Sequence, residues 1–214
     1  MTDRPSNLLS RADRLPLVGC AHAWDFTNTS SGRGHPSFQE HFLSATDIVA
    51  WARHARLLTP SDGDRLAEAV LAQSGLSAAL LARAVALRDV IFRIGSAVAA
   101  GSRPRAVDIG LLADAHAACI ARASLVSRGA VFVWAWDPQI APVESILGPV
   151  VLSALTLLTR SDAGRIKQCE GDHCGWLFFD ATKNKSRRWC EMEVCGNRAK
   201  QKRRRGRPPQ ASAV

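Results

Sequence analysis

Four cysteines limit how this chain can fold more than any other feature. Cys169 and Cys174 enclose four residues, Cys190 and Cys195 enclose another four, and fifteen residues separate the two pairs. A tetrahedral zinc ion needs two thiolate pairs, each on a tight loop, with the intervening chain folding back to superimpose them. One pair would be a weak signal; two pairs of matched spacing form a complete ligand set. His173 could stand in for Cys174 or Cys169, although the symmetric cysteines already close the site. A four-sulfur site has no open coordination position, which argues for structural zinc and against zinc hydrolysis.

Trp176-Leu177-Phe178-Phe179-Asp180 reads as a strand and Asp180 to Ser186 as a polar turn. From Cys195 no breaker occurs until Gly206, so a short helix should begin at the second pair. Knuckle, hairpin and ligands at a helix start describe a treble-clef-like finger. So short a segment buries little on its own, so zinc should supply much of its folding energy, with Trp176, Phe178 and Trp189 as a miniature core.

Charge isolates the same region. The chain of 214 residues carries a formal +9. Residues 1–164 hold 15 Lys/Arg against 14 Asp/Glu, while residues 165–214 hold 13 against 5. Such asymmetry is what a neutral body with a basic binding module looks like. Lys183, Lys185, Arg187 and Arg188 fall in the turn, and Arg198, Lys202 and Arg205 share a helix face with Lys200, Arg203 and Arg204 beside it. Phosphates would relieve that self-repulsion. Arg205-Gly206-Arg207-Pro208 has the core of an AT-hook, though a basic tail over 206–214 fits the same letters.

The body before residue 160 reads as mostly helical. Ile48, Trp51, Ala52, Ala55 and Leu58 make one stripe, with Ser44 or Thr46 as cap, and Thr59-Pro60-Ser61-Asp62 opens another helix. Leu80, Ala84, Leu87, Ile91, Ile94 and Val98 predict a central core helix stopping at Gly101. Leu111 to Leu125 predicts a further helix, Val131 to Trp136 a strand, and Val143 to Leu158 a helix that kinks or restarts at Gly148-Pro149. The polar-aromatic run Trp24-Asp25-Phe26-Thr27-Asn28-Thr29 either turns the chain or, through Trp24, Asp25, Asn28 and Thr29, lines a small-ligand pocket.

No phosphate-binding glycine loop, nucleophile elbow or metalloprotease helix occurs, and the scattered histidines lack convergent partners, so an enzyme is the least expected class. Leu17-Val18-Gly19-Cys20 has the letters of a lipoprotein box, yet Arg11, Asp13 and Arg14 interrupt what would precede it. The longest nearly uncharged apolar run, residues 150–158, is about half of a membrane span of roughly 20 residues. A cytoplasmic protein without a membrane partner is expected.

The string Cys190-Glu-Met-Glu-Val-Cys195-Gly196-Asn197-Arg198-Ala199-Lys200, after Ser186-Arg187-Arg188-Trp189, resembles the CGNR zinc-finger family. Trp24 to Thr29, Asp47-Ile48-Val49-Ala50-Trp51 and Leu57-Leu58-Thr59 resemble the ABATE domain, which accompanies that finger in bacterial proteins regarded as stress-induced transcription regulators. The resemblance implies zinc on Cys169, Cys174, Cys190 and Cys195, DNA contact by the surrounding basic residues, and a stress-response role. The expected architecture is α+β: a helical domain over 1–160 with a small β element, a finger over 165–205, and a tail over 206–214. The leading expectation is a DNA-binding regulator with one structural zinc, whose body senses a small-molecule effector or forms a homo-oligomer. An RNA-binding module, and a zinc-stabilised module binding an acidic protein partner, share the same basic residues.

Overall fold

The computed structural model describes residues 11–205, and two of its helices, α2 and α3, start on side-chain caps. Helix α1 (His22–Thr27) leads to a minimal ladder of β1 (Ser30–Ser31) with β2 (Gln39–Glu40). Helix α2 (Ala45–His54) opens on a capping box: Ser44 Oγ accepts from the Asp47 N–H, and Asp47 Oδ2 accepts from the Ser44 N–H at 2.8 Å. Helix α3 (Pro60–Ala72) is capped by Thr59, with Pro60 at the first position, where its missing N–H costs nothing. Helix α4 (Ser74–Ala99) follows after a bend of 112° and ends before Gly101, which takes a left-handed φ of +67°.

Helix α4 is central, touching α1, α2, α3 and α5 (Ala106–Ile120). Of its predicted stripe, Leu80, Ala84, Leu87, Ile91 and Ile94 are buried and Val98 is half-buried. Helix α6 (Glu144–Leu158) packs on α1 and α5 and runs continuously through Pro149, so the expected restart is absent. Gly148 is needed there for a different reason: a Cβ would lie 2.4 Å from the Trp136 ring.

The helix expected to reach Leu125 ends at Ile120. Leu125 instead lies in β3 (Ser124–Arg128), which pairs antiparallel with β4 (Val131–Ala135). The two-residue connection has Gly129 at φ +64°, the positive φ that a tight hairpin requires at its first central position. Alternation is legible only in β4; Leu125 continues the helical spacing of Leu112, Ala115 and Ala118 by coincidence of position.

In the finger, β5 (Ile166–Gln168) pairs with β6 (Leu177–Phe179), and helix α7 (Asn197–Arg205) closes the described chain. The hairpin therefore encloses the first cysteine pair, whereas the sequence suggested one formed between the pairs. Strand β6 divides its side chains between two cores: Leu177 joins the body core with Ile166, and Phe178 joins a smaller cluster with Cys169, Cys190 and Cys195, edged by Val18, Trp176 and Trp189. The finger is therefore continuous with the body's apolar interior, and its small core does not stand alone. Among the described residues no single helix is long and apolar enough to cross a membrane.

Candidate metal centre

The first cysteine pair is set by the β5–β6 hairpin. The Cys169 N–H donates to the Trp176 carbonyl at 2.8 Å, extending the ladder by one pair, and the Cys174 N–H closes a turn on the Gly171 carbonyl. Positive φ at His173 (60°) and Gly175 (70°) curls the knuckle. Gly171 faces the sulfurs so closely that a Cβ would lie 3.0 Å from Cys195 Sγ. Two backbone donors, the N–H groups of Gly171 (3.4 Å) and Cys190 (3.2 Å), point at Cys169 Sγ and stabilise negative charge there.

The second pair is placed by a turn organised around Asp180, whose side chain is fully buried. Its Oδ1 accepts from the Thr182 N–H and hydroxyl, and its Oδ2 accepts from Lys167 Nζ at 2.7 Å and the Arg187 N–H at 3.0 Å. Burial alone pushes this carboxyl up; Lys167 and Thr182 outweigh it and hold Asp180 well below the usual carboxylate range. Lys167 also donates to the carbonyls of Lys185 and Arg187, so one ion pair fixes both ends of the turn.

Cys195-Gly196-Asn197-Arg198 then has a physical reading letter by letter. Cys195 ends the ligand set within a single wide turn, Met192–Gly196. At Gly196 a Cβ would meet Met192 Sδ at 2.3 Å. Asn197 starts α7 and returns its side-chain N–H to the Glu193 carbonyl at 3.0 Å, and Arg198 is exposed.

All four sulfurs lie within 4.8 Å of one another, with Cys174 to Cys190 at 3.6 Å and Cys190 to Cys195 at 3.7 Å. A tetrahedron with Zn–S bonds of about 2.3 Å has edges of about 3.8 Å, so the donors fit a zinc ion. Contact with Cys169 pushes the Cys190 thiol up, while contact with Cys174 and Cys190 holds Cys169 down. Sulfurs this close share protons unless a dication replaces them. His173 takes no part; its ring stacks on His35 with centroids 3.4 Å apart.

The basic residues fall into three groups. Lys183, Lys185, Arg198, Lys200, Arg203 and Arg205 are exposed and form no ion pair among the described residues. Arg188 and Lys202 are exposed but paired, Arg188 with Glu170 and Lys202 with Asp172. Arg187 is turned inward: it lies over the Phe178 ring at 4.3 Å and donates to the carbonyls of Val18, Trp189 and Cys190 and to Cys20 Sγ. It staples the finger to the N-terminal segment and is not placed for phosphate. The Arg204 side chain and Arg207, with the AT-hook reading, lie outside the described residues.

Trp24, Asp25, Asn28 and Thr29 are all buried where body meets finger. Asp25 Oδ1 accepts the Gly19 N–H at 2.8 Å, and Thr29 bonds back to the Phe26 carbonyl. Trp24 and Leu177 crowd Gly95, where a Cβ would lie within 2.7 Å of both. Asn28 reaches the outer edge of β6, donating to the Leu177 carbonyl and accepting its N–H, each at 2.9 Å. Next to it Trp176 Nε1 donates to the Ser30 carbonyl, and the Gly32 N–H donates to the carbonyl of the ligand residue Cys174 at 3.3 Å. Sequence reasoning singled out this run but missed its partner, along with the roles of Asp180, Lys167 and Gly171.

Two family models match the chain, in this order. ABATE, described as "Putative stress-induced transcription regulator", matches residues 21–161, and the CGNR zinc finger matches residues 165–208. No curated protein matches the chain.

Proposed function

The chain belongs to the ABATE family and carries a CGNR zinc finger at its C-terminal end; from that premise we propose that it is a regulator whose zinc-loaded finger binds duplex DNA. One structural Zn²⁺, held by Cys169, Cys174, Cys190 and Cys195, contributes no chemistry beyond fixing the turn and α7. The observation that carries the reading is the set of exposed cations without an ion-pair partner among the described residues, on two pieces of the finger: Lys183 and Lys185 on the turn, and Arg198, Lys200, Arg203 and Arg205 on the helix. Exposed cations without carboxylate partners gain most from phosphate, whose neutralisation releases condensed counterions. Phosphate contacts supply the affinity; Arg198, at the start of α7, is the residue best placed for a base edge.

The body supplies the control, through an effector or through self-association. A cleft of about 610 Å³ between the N-terminal segment and the finger, lined by Arg11, Gln39 and His41 on one side and by Arg198 and the zinc-site residues Cys174, Cys190 and Cys195 on the other, would let an effector bound beside the metal touch both parts.

Fluorescence anisotropy with labelled duplexes, repeated across salt concentrations, tests this. Log affinity should fall linearly with log salt, and replacing Lys200 or Arg203 with Ala should each lower the slope by about one. No binding to any duplex at low salt would overturn the reading. Displacement of duplex by structured RNA at equal concentration would move the assignment to RNA.

A further inference from the structure

None of the ten residues of the β3–β4 hairpin is buried, although six of them are Leu, Val, Phe or Trp. The two strands pair only with each other. At the root, Trp136 Nε1 donates to the Cys119 carbonyl at 2.7 Å and Arg122 donates to the Ile140 carbonyl at 2.8 Å, so the wing is anchored at its base. The register sets Leu125 opposite Trp134 and Ser127 opposite Phe132, so these four side chains share one face. Leu125 is 56% exposed, Phe132 70% and Trp134 43%. That face carries no charge; the hairpin's one charged residue, Arg128, pairs with Val131 on the other face.

A two-stranded hairpin with neither face buried is marginal in water, and an apolar patch of several hundred Å² is of the size that serves as a binding surface. We propose that a second copy of this chain covers it, with Leu125, Phe132 and Trp134 packing on the same three residues across a two-fold axis. Self-contact is favoured because an uncharged face incurs no like-charge repulsion against itself, while it offers nothing to nucleic acid or to an acidic protein.

The area suffices. The three exposed side chains leave roughly 350 Å² per copy, or roughly 700 Å² for the pair. Ile140, 69% exposed at the wing's root, adds to this and brings the total toward the roughly 1,000 Å² of the smallest specific interfaces. The inference gives the self-association proposed above a surface and a partner. It stands whether or not the finger binds DNA, because its readout is mass.

Light scattering on the full-length zinc-loaded protein at tens of micromolar should return twice 23.1 kDa. Phe132→Thr with Trp134→Thr should raise the dissociation constant at least a hundredfold and return the monomer mass. Leu71→Thr, which alters a 75% exposed side chain on α3, should leave the dimer intact. A wild-type monomer, or a dimer that survives the double substitution, would overturn the proposal, and so would a monomer whose wing is protected only by lipid vesicles. Hydrogen exchange needs no variant and gives a second reading: residues 124–135 should exchange more slowly as wild-type concentration rises. Exchange independent of concentration counts against the proposal.

Discussion

The side-chain amide of Asn28 is bonded at both ends to the backbone of Leu177, donating to its carbonyl and accepting its N–H at 2.9 Å. A helix-terminal side chain thereby acts as the strand that β6 lacks on its outer edge. Beyond it the Phe179 N–H is taken up by the Gly19 carbonyl. Asn28→Ala would strand two buried backbone groups and should lower unfolding free energy by about 2–4 kcal/mol. Denaturant titration checks this; a loss under about 1 kcal/mol would mean that water replaces the amide freely.

Because Ile166 and Leu177 belong to the body core, zinc loss should not be confined to the finger. Metal analysis should return one zinc per chain. Chelation, or Cys190→Ser, should lower the thermal midpoint of α-helix melting as well as remove the metal. An unchanged helical midpoint after complete zinc removal would separate the two parts energetically.

Asp25 is pushed up to about 6, first by burial, with the Gly19 N–H, His54 and Arg187 pulling the other way. A carboxyl whose folded value exceeds its unfolded one binds more protons in the native state. Its favourable contribution is therefore fully present below about pH 4 and is lost as pH rises through about 6. Asp25→Asn keeps an acceptor for Gly19 and removes the charge. The variant should match wild type near pH 4 and exceed it at pH 7–8 by on the order of 2 kcal/mol. Urea midpoints across that range decide it: equal midpoints at every pH would refute the buried carboxylate.

Arg187 and Lys183 carry the same charge in one turn and should behave oppositely. Arg187→Ala removes donors to three carbonyls and a ring contact, so it should cost about 2–3 kcal/mol of stability. Lys183→Ala should change stability by less than about 0.5 kcal/mol and weaken duplex binding. Paired thermal melts and anisotropy titrations test the contrast.

What the sequence disclosed and what it withheld follow from range. Ser44 with Asp47, Thr59 with Pro60, and the stripe from Leu80 to Ile94 act within one or two turns, and each is legible where it stands. The four sulfurs are distant from one another, yet their doubled spacing encodes the closure. Asn28 and Leu177 lie 149 positions apart with no repeating pattern between them, so the residue could be noticed but not its use. Strand β3 was hidden because Ser124-Leu125-Val126-Ser127-Arg128 alternates too weakly to be seen without β4 beside it. The direction of Arg187 was set by open carbonyls at Val18 and Cys190, which composition does not record.

The three residues of β6 also bear on how such proteins can be recombined. Leu177 fills the body and Phe178 fills the finger, so the seam between the family matches at 161 and 165 is not where the two parts come apart. A gene fusion that exchanged fingers at that seam would import a foreign side chain into the helical interior and a foreign edge against Asn28. Viable hybrids should therefore carry the segment around residues 18–35 along with the finger, so that the unit of inheritance is a finger together with its socket.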